Sequence, residues 1–218
     1  MGAFDCVITL ESFVYALALA HLLSRASGLL LARDRVRFSG LQTLMMVNAV
    51  LTVLINWLAA WPSRGAKEWD LSTIAIWFAC ALTNFFLCAA AAPEVAPGER
   101  VDLDAFYWTQ QRLFYGIYML LAAVGVAGGL PLLKTSNPAL FTQYTLSGLP
   151  FFAPPLLALL VKARWAHWLS GVGLFLILIG WRSSSRPPCA DMRLTPSARP
   201  GRSWRSGSPC ARIGRSRC

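Results

Sequence analysis

Six apolar stretches, each about as long as a membrane is thick, recur along this chain. Their approximate bounds are 4–23, 41–61, 71–92, 113–133, 141–161 and 165–181. A helix must be about 20 residues long to cross a hydrocarbon core of ~30 Å. Inside that core every backbone N–H and C=O group needs an internal partner, which a helix supplies. The sequence therefore predicts an all-α, polytopic transmembrane bundle with about six spans in residues 1–181.

Composition favours the same class of protein. Only 14% of the residues are charged, against roughly 25% in soluble domains, and the mean hydropathy is +0.51. Tryptophan is common at membrane–water interfaces. Here it stands near the ends of the apolar stretches, at Trp57, Trp61, Trp69, Trp108, Trp165, Trp168 and Trp181. The lipid bilayer is thus the first expected partner.

The net charge of +10 comes mainly from the end of the chain. Residues 1–181 hold 11 Lys and Arg against 9 Asp and Glu, whereas residues 182–218 hold 9 Arg and one acid, Asp191. The end segment is otherwise rich in Ser, Pro and Gly, a composition typical of disorder. Two interpretations of 182–218 stay open: a basic tail that binds anionic head groups, or a frame-shifted, non-native ending. No nucleic-acid partner is expected for the body of the chain.

Cations in short loops predict the orientation. The loop at 24–40 holds Arg25, Arg33, Arg35 and Arg37, and such clusters remain in the cytoplasm. We interpret the last three as a topology anchor that meets anionic lipid head groups. The loops at 92–112 and 162–164 then face the same side, with the N-terminus outside. Six crossings would also send the basic tail outside, against the same rule. Either there are five or seven crossings, or the tail is translocated anyway, or it is a non-native ending.

The fifth apolar stretch is interrupted by Gly148, Pro150, Pro154 and Pro155. Proline inside a helix removes a backbone donor and clashes with the preceding turn. The segment is therefore either a kinked span or a re-entrant hairpin buried against its neighbours.

Five polar residues fall inside the first three apolar stretches: Glu11, His21, Asn48, Asn56 and Asn84. An acid near the bilayer centre costs about 2.5–3.5 kcal/mol, so Glu11 should face the bundle, be protonated or meet a partner. One interpretation is a polar network that relays protons or binds a small ligand. The other is contact between helices, each worth about 0.6 kcal/mol.

No known catalytic, cofactor or metal signature appears in the sequence. The six cysteines show no Cys-x-x-Cys or Cys/His spacing, so no metal site is predicted. We therefore expect a non-enzymatic membrane scaffold with a regulatory or partner-binding role, whose partner is another membrane protein or a second copy. The alternative is a small-solute or proton-linked transporter that uses Glu11.

Several short motifs in residues 1–130 resemble a group of uncharacterised multi-pass inner-membrane proteins of Gram-negative bacteria. These motifs are His21-Leu22-Leu23, Arg33-Asp34-Arg35-Val36-Arg37-Phe38-Ser39, Asn56-Trp57 with Trp61, and Asp102-Leu103-Asp104 followed by Tyr107 and Arg112. The resemblance implies a bacterial inner-membrane location and a cytoplasmic first loop. It implies no activity for any residue.

Overall fold

The computed structural model describes residues 3–60, 70–96, 100–128, 146 and 148–184, with backbone alone for Ala3 and 181–184. Residues 1–185 form one compact unit, and a second unit, 186–218, lies outside the described residues. The predictions for Trp61, Trp69 and nearly all of the tail at 182–218 fall outside them as well. So do parts of the fourth and fifth predicted spans, at 129–133 and 141–145.

Within these ranges the protein is all-helical, as predicted, apart from one pair of two-residue strands. The helices are α1 (Ala3–Leu31), α2 (Gly40–Ala59), α3 (Leu71–Ala91), α4 (Leu103–Ala127), α5 (Ala153–Leu160) and α6 (Arg164–Ser184). The strands are β1 (Val36–Arg37) and β2 (Val101–Asp102), which pair in parallel, and 3-10 turns cover Arg33–Arg35 and Leu149–Phe151.

Three of these helices are long and apolar enough to cross a membrane: Phe4–Leu31, Gly40–Ala59 and Leu71–Ala91. The segments Leu149–Leu160 and Arg164–Gly180 are apolar but shorter. Helix α4 has the length, but its first ten residues include Asp104, Gln110 and Arg112. Three helices of the described structure therefore support a membrane protein. The other three predicted spans remain predictions.

Two helix boundaries differ from the sequence prediction. Helix α1 continues from the predicted end at Leu23 to Leu31, because the apolar pattern resumes after Arg25 and buries Leu29. Most of the predicted loop 24–40 is therefore helical, and the loop itself is 32–39. Helix α4 begins at Leu103 rather than 113, since the Asp102 side chain accepts hydrogen bonds from the backbone N–H groups of Asp104 (2.9 Å) and Ala105 (3.2 Å).

The prolines of the fifth stretch lie in the first turns of a 3-10 turn and of α5, and the kinked span and the re-entrant hairpin both remain predictions. Pro150 lies in the first positions of the 3-10 turn, and Pro154 and Pro155 lie in the first turn of α5. First-turn N–H groups have no partner within the helix, so proline is tolerated there. The twelve apolar residues Leu149–Leu160 extend only about 18 Å, well short of a ~30 Å core.

Four chain segments meet at one end of the bundle, which we call the loop end: 32–39, 92–96, 100–102 and 161–163. Here β1 pairs with β2 through Val36 and Val101, and Arg164 forms an ion pair with Asp104. Helices α1, α3 and α5 run towards this end, whereas α2, α4 and α6 run away from it.

The bundle has an apolar core that includes Leu22, Leu87 and Phe114, and polar side chains are buried beside it. Glu11, Gln42, Asn48, Asn84 and His167 are all at most 2% exposed. Other large apolar side chains point outward, with Phe13 70% and Leu31 88% exposed. Soluble monomers rarely expose apolar patches on this scale, so these surfaces are suited to contact with lipid.

Candidate functional site: buried polar side chains among the helices

Glu11 lies between α1 and α3 and is only 2% exposed. Tyr15, one turn along α1, and Cys80 on α3 both interact with its carboxyl group. The Tyr15 hydroxyl and the Cys80 thiol interact with each other, and both are close enough to sense the Glu11 charge. The Glu11 Oε1 atom is buried and finds no hydrogen-bond partner among the described residues. An unpaired buried carboxylate is costly, so the neutral, protonated form suits this position.

Asn56 and Asn84 connect α2 to α3 beside this acid. The Asn56 Nδ2 group donates to Asn84 Oδ1 at 3.2 Å. The Asn84 Nδ2 group in turn donates to the Cys80 carbonyl at 2.9 Å and lies 3.8 Å from the Cys80 Sγ atom. Three of the five predicted polar residues, Glu11, Asn56 and Asn84, thus lie around Cys80.

Asn48 belongs to a different contact, between α2 and α6. Its Nδ2 group donates to the Gly171 carbonyl at 2.9 Å. One turn further, the Thr52 hydroxyl donates to the Asn48 carbonyl at 2.7 Å and lies 2.7 Å from the Tyr118 hydroxyl of α4. Asn48 therefore joins α2 to α6 and does not extend the cluster around Cys80.

His21 stands apart from both clusters. Its ring packs against Phe85 of α3, with the ring centroids 6.0 Å apart. The His21 Nε2 atom is buried and has no hydrogen-bond partner in the part of the chain that the structure describes. His21 and Glu11 do not meet, in agreement with their separation of ten residues on one helix.

A further polar cluster, absent from the sequence prediction, lies between α4 and α6. The Tyr107 hydroxyl is 2.8 Å from His167 Nδ1 and 3.4 Å from the Tyr115 hydroxyl. The Trp108 ring packs edge-on against the fully buried His167 ring, at 4.9 Å between centroids. His167 lies between Trp165 and Trp168, a context that suggests an interfacial position. Helical spacing is the sequence signal that indicates the burial of His167. It lies on one buried face of α6 with Ser170, Gly171, Leu174 and Leu178.

Charged side chains are concentrated at the loop end. Arg37 pairs with Asp102 at 3.1 Å, and Asp104 accepts from Arg164 and from the Ser39 hydroxyl. The backbone N–H of Ala105, followed by that of Asp104 and the Arg37 guanidinium, holds the pKa of Asp102 below its ordinary value of 3.8. These contacts link all the loops that the cation count assigns to one side of the membrane.

The three predicted anchor residues differ in their surroundings. Arg33 and Arg35 are exposed, and Arg33 lies 3.9 Å from the equally exposed Asp34. Arg37 is engaged by Asp102 across the β1–β2 pair. Arg33 and Arg35 therefore remain accessible for head groups, whereas Arg37 also holds the loop in place.

The described residues include no group of three His, Cys, Asp or Glu side chains arranged to hold a metal ion. No protein-family model, no curated protein and no solved structure matches this chain.

Proposed function

We propose that this protein is a multi-pass inner-membrane protein of a bacterium, with six crossings and the loop end in the cytoplasm. The alternating direction of the six helices supports an even number of crossings. The arginines of the loop end support its cytoplasmic placement, because short cation-rich loops stay inside. Helix α4 and the shorter apolar segments Leu149–Leu160 and Arg164–Gly180 would each cross the membrane together with residues that adjoin them in the chain.

Reporter fusions test this orientation. A cytoplasmic reporter fused after residue 34, 96 or 162 should be active, and one fused after residue 70 should be inactive. A periplasmic reporter should give the opposite pattern at each site. Activity of the periplasmic reporter at 34 or 96 would refute the orientation, and the same result at 162 alone would refute the six-span count.

Within that membrane we propose a non-enzymatic scaffold with a regulatory or partner-binding role. The observation that carries this proposal is the way three asparagines, two buried and one half-buried, contact their neighbours. Each of Asn48, Asn56 and Asn84 donates its side-chain N–H to a neighbouring helix or to its own backbone. Contacts of this kind stabilise a helix bundle.

A second function, proton-linked transport, is favoured by one specific observation. The Glu11 carboxyl is buried beside Tyr15 and Cys80 with Oε1 unpartnered among the described residues. Acids held inside a membrane commonly mark proton pathways. A carboxyl that gains and loses a proton there could couple the movement of a solute to the movement of a proton.

One flux experiment separates the two functions. Purified protein in liposomes is compared with Glu11→Gln, which keeps the size of the side chain and removes its titration. The scaffold proposal expects no proton or small-solute flux in either protein. Flux in the wild type that disappears in Glu11→Gln would replace the scaffold with a transporter. Glu94→Gln, in the exposed loop before α4, is the matched control and should leave either result unchanged.

A further inference from the structure

A groove of about 670 Å³ runs between α3 and α4 on the outer surface of the bundle. On α3 the groove is lined by Phe86, Ala89 and Ala90, and on α4 by Phe106, Leu113, Ile117 and Leu120. Because Phe86, Leu113 and Leu120 are more than half exposed, the groove is open along the face that would contact lipid.

The polar residues of the groove lie at its loop end. Arg25, Glu94 and Gln110 line that end, whereas the deeper lining is apolar except for the Thr83 hydroxyl, which donates to the Ala79 carbonyl of its own helix. Phe106 lines the groove on the loop-end side of Gln110, and from Gln110 to Leu120 the groove follows α4 for a further ten residues, or about 15 Å. One leaflet of a ~30 Å hydrocarbon core has the same depth. The groove thus has a polar end at head-group level and an apolar part as deep as one leaflet.

Arg25 is suited to hold an anion at this end. Its Nη1 group donates to the carbonyls of Ala92 (2.8 Å) and Ala89 (3.3 Å), which fixes the guanidinium at the end of α3. Its Nη2 group lies 3.7 Å from Glu94, whose side chain is 84% exposed. A guanidinium has five N–H donors, so a phosphate could replace the loosely held Glu94 without disturbing the two carbonyl contacts.

We propose that this groove binds one acyl chain of an anionic phospholipid, with the lipid phosphate at Arg25. The proposal rests on the membrane insertion proposed above. The exposed Arg33 and Arg35 at the same end would raise the local concentration of anionic lipid. A cation at the head-group level over an apolar slot one leaflet deep is complementary to a phospholipid, and a lipid phosphate would bring Arg25 a second anion beside Glu94.

Native mass spectrometry of the protein from nanodiscs containing equal phosphatidylglycerol and phosphatidylethanolamine tests the proposal. The wild type should retain one lipid and prefer the anionic one by roughly fivefold, because both lipids offer a phosphate but phosphatidylethanolamine adds an ammonium group that the Arg25 guanidinium repels. Arg25→Gln should retain a lipid without that preference. Ala90→Phe should fill the slot and lose retention of both lipids.

Two controls keep a folding defect separate from a binding defect. Arg112→Gln removes an exposed cation of α4 that does not line the groove, and Leu82→Phe enlarges an exposed side chain of α3 that does not line it either. Both should retain lipid like the wild type.

Equal retention of the two lipids by the wild type, or unchanged retention in Ala90→Phe, would overturn the proposal. The proposal would also be overturned if the protein formed a dimer that Ala90→Phe dissociates but that added lipid leaves intact. Failure of the protein to enter nanodiscs would instead count against membrane insertion itself.

Discussion

In the middle of the bundle, helices are joined by neutral amides and hydroxyls, whereas at the loop end they are joined by guanidinium–carboxylate pairs. Asn56 and Asn84 or Thr52 and Tyr118 make the first kind of contact. Arg37 with Asp102 and Arg164 with Asp104 make the second. The difference follows depth, because a charge is expensive to remove from water and a neutral polar group much less so.

Glu11 is the exception in this comparison. It lies 14 residues, or about 21 Å, along α1 from Arg25, and it is the one acid buried in the described bundle. The loop end gives each of its aspartates a cation or a backbone N–H group. Glu11 instead has a tyrosine and a thiol as neighbours. Among the acids of the described bundle and the loop end, Glu11 is therefore the one whose burial is least explained by helix packing.

The largest effect should come from the tightest contact in the middle region. A Cβ atom at Gly171 would lie 2.7 Å from Leu44 Cδ2, whereas one at Gly116 would meet nothing within 4 Å. Gly171→Leu should force α2 and α6 apart, break the hydrogen bond from Asn48, and lower the free energy of unfolding by about 1–3 kcal/mol. Gly116→Leu should leave that free energy unchanged or slightly raised. Steric trapping in micelles measures both, and equal values would disprove the close contact.

A smaller effect is expected for the amide pair. The coupling free energy between Asn56 and Asn84 should be about 0.6 kcal/mol, with an upper limit near 1.7 kcal/mol. A double-mutant cycle with Asn56→Leu, Asn84→Leu and the double variant measures it. Additive losses would show that the two amides do not bind each other.

The Arg37–Asp102 ion pair at the loop end should contribute less to the free energy of unfolding than the amide pair does, and its contribution should depend on salt. Arg37 and Asp102 are both solvent-exposed in part, so Arg37→Gln should lower the unfolding free energy by about 0–1 kcal/mol. Raising the ionic strength should reduce that loss, whereas the Asn56–Asn84 coupling should stay constant. A salt-dependent amide coupling would remove the distinction between the two regions.

The smallest effect is a dependence on pH carried by Asp102. Its pKa in the folded protein lies below the ordinary 3.8. Its contribution to stability is therefore complete above that value and is lost as the pH falls through the lower, folded pKa. The melting temperature of the wild type should fall more than that of Asp102→Asn in this acid range. Identical acid dependence of the two proteins would contradict the lowered pKa.

The sequence predicted the polar residues better than their partners. A costly acid had to avoid lipid, so the interior position of Glu11 follows from its chemistry. The pairing of Asn48 with Gly171 did not follow, because those residues are far apart in the chain and a carbonyl acceptor leaves no mark in the sequence. His167 was missed because the neighbouring tryptophans suggested an interface, while its burial depends on Tyr107 and Tyr115 of another helix.

The fifth apolar stretch shows the same limit at the level of backbone. Its three prolines signalled an interruption, and the structure assigns Pro150, Pro154 and Pro155 to helix starts. A proline restricts the backbone in the same way whether it kinks a helix or begins one. Only the position of the neighbouring turn distinguishes these two cases. That position depends on packing against α4 and α6.

The amino-acid sequence by itself determined that this protein is helical and apolar on its outer surface. Hydropathy and backbone hydrogen bonding are properties of each segment alone, so they can be read along the chain. The tertiary structure decided which polar groups meet, which arginines remain free for head groups, and where a groove opens between α3 and α4. Those features depend on the rotation and depth of each helix against its neighbours, which no single segment specifies.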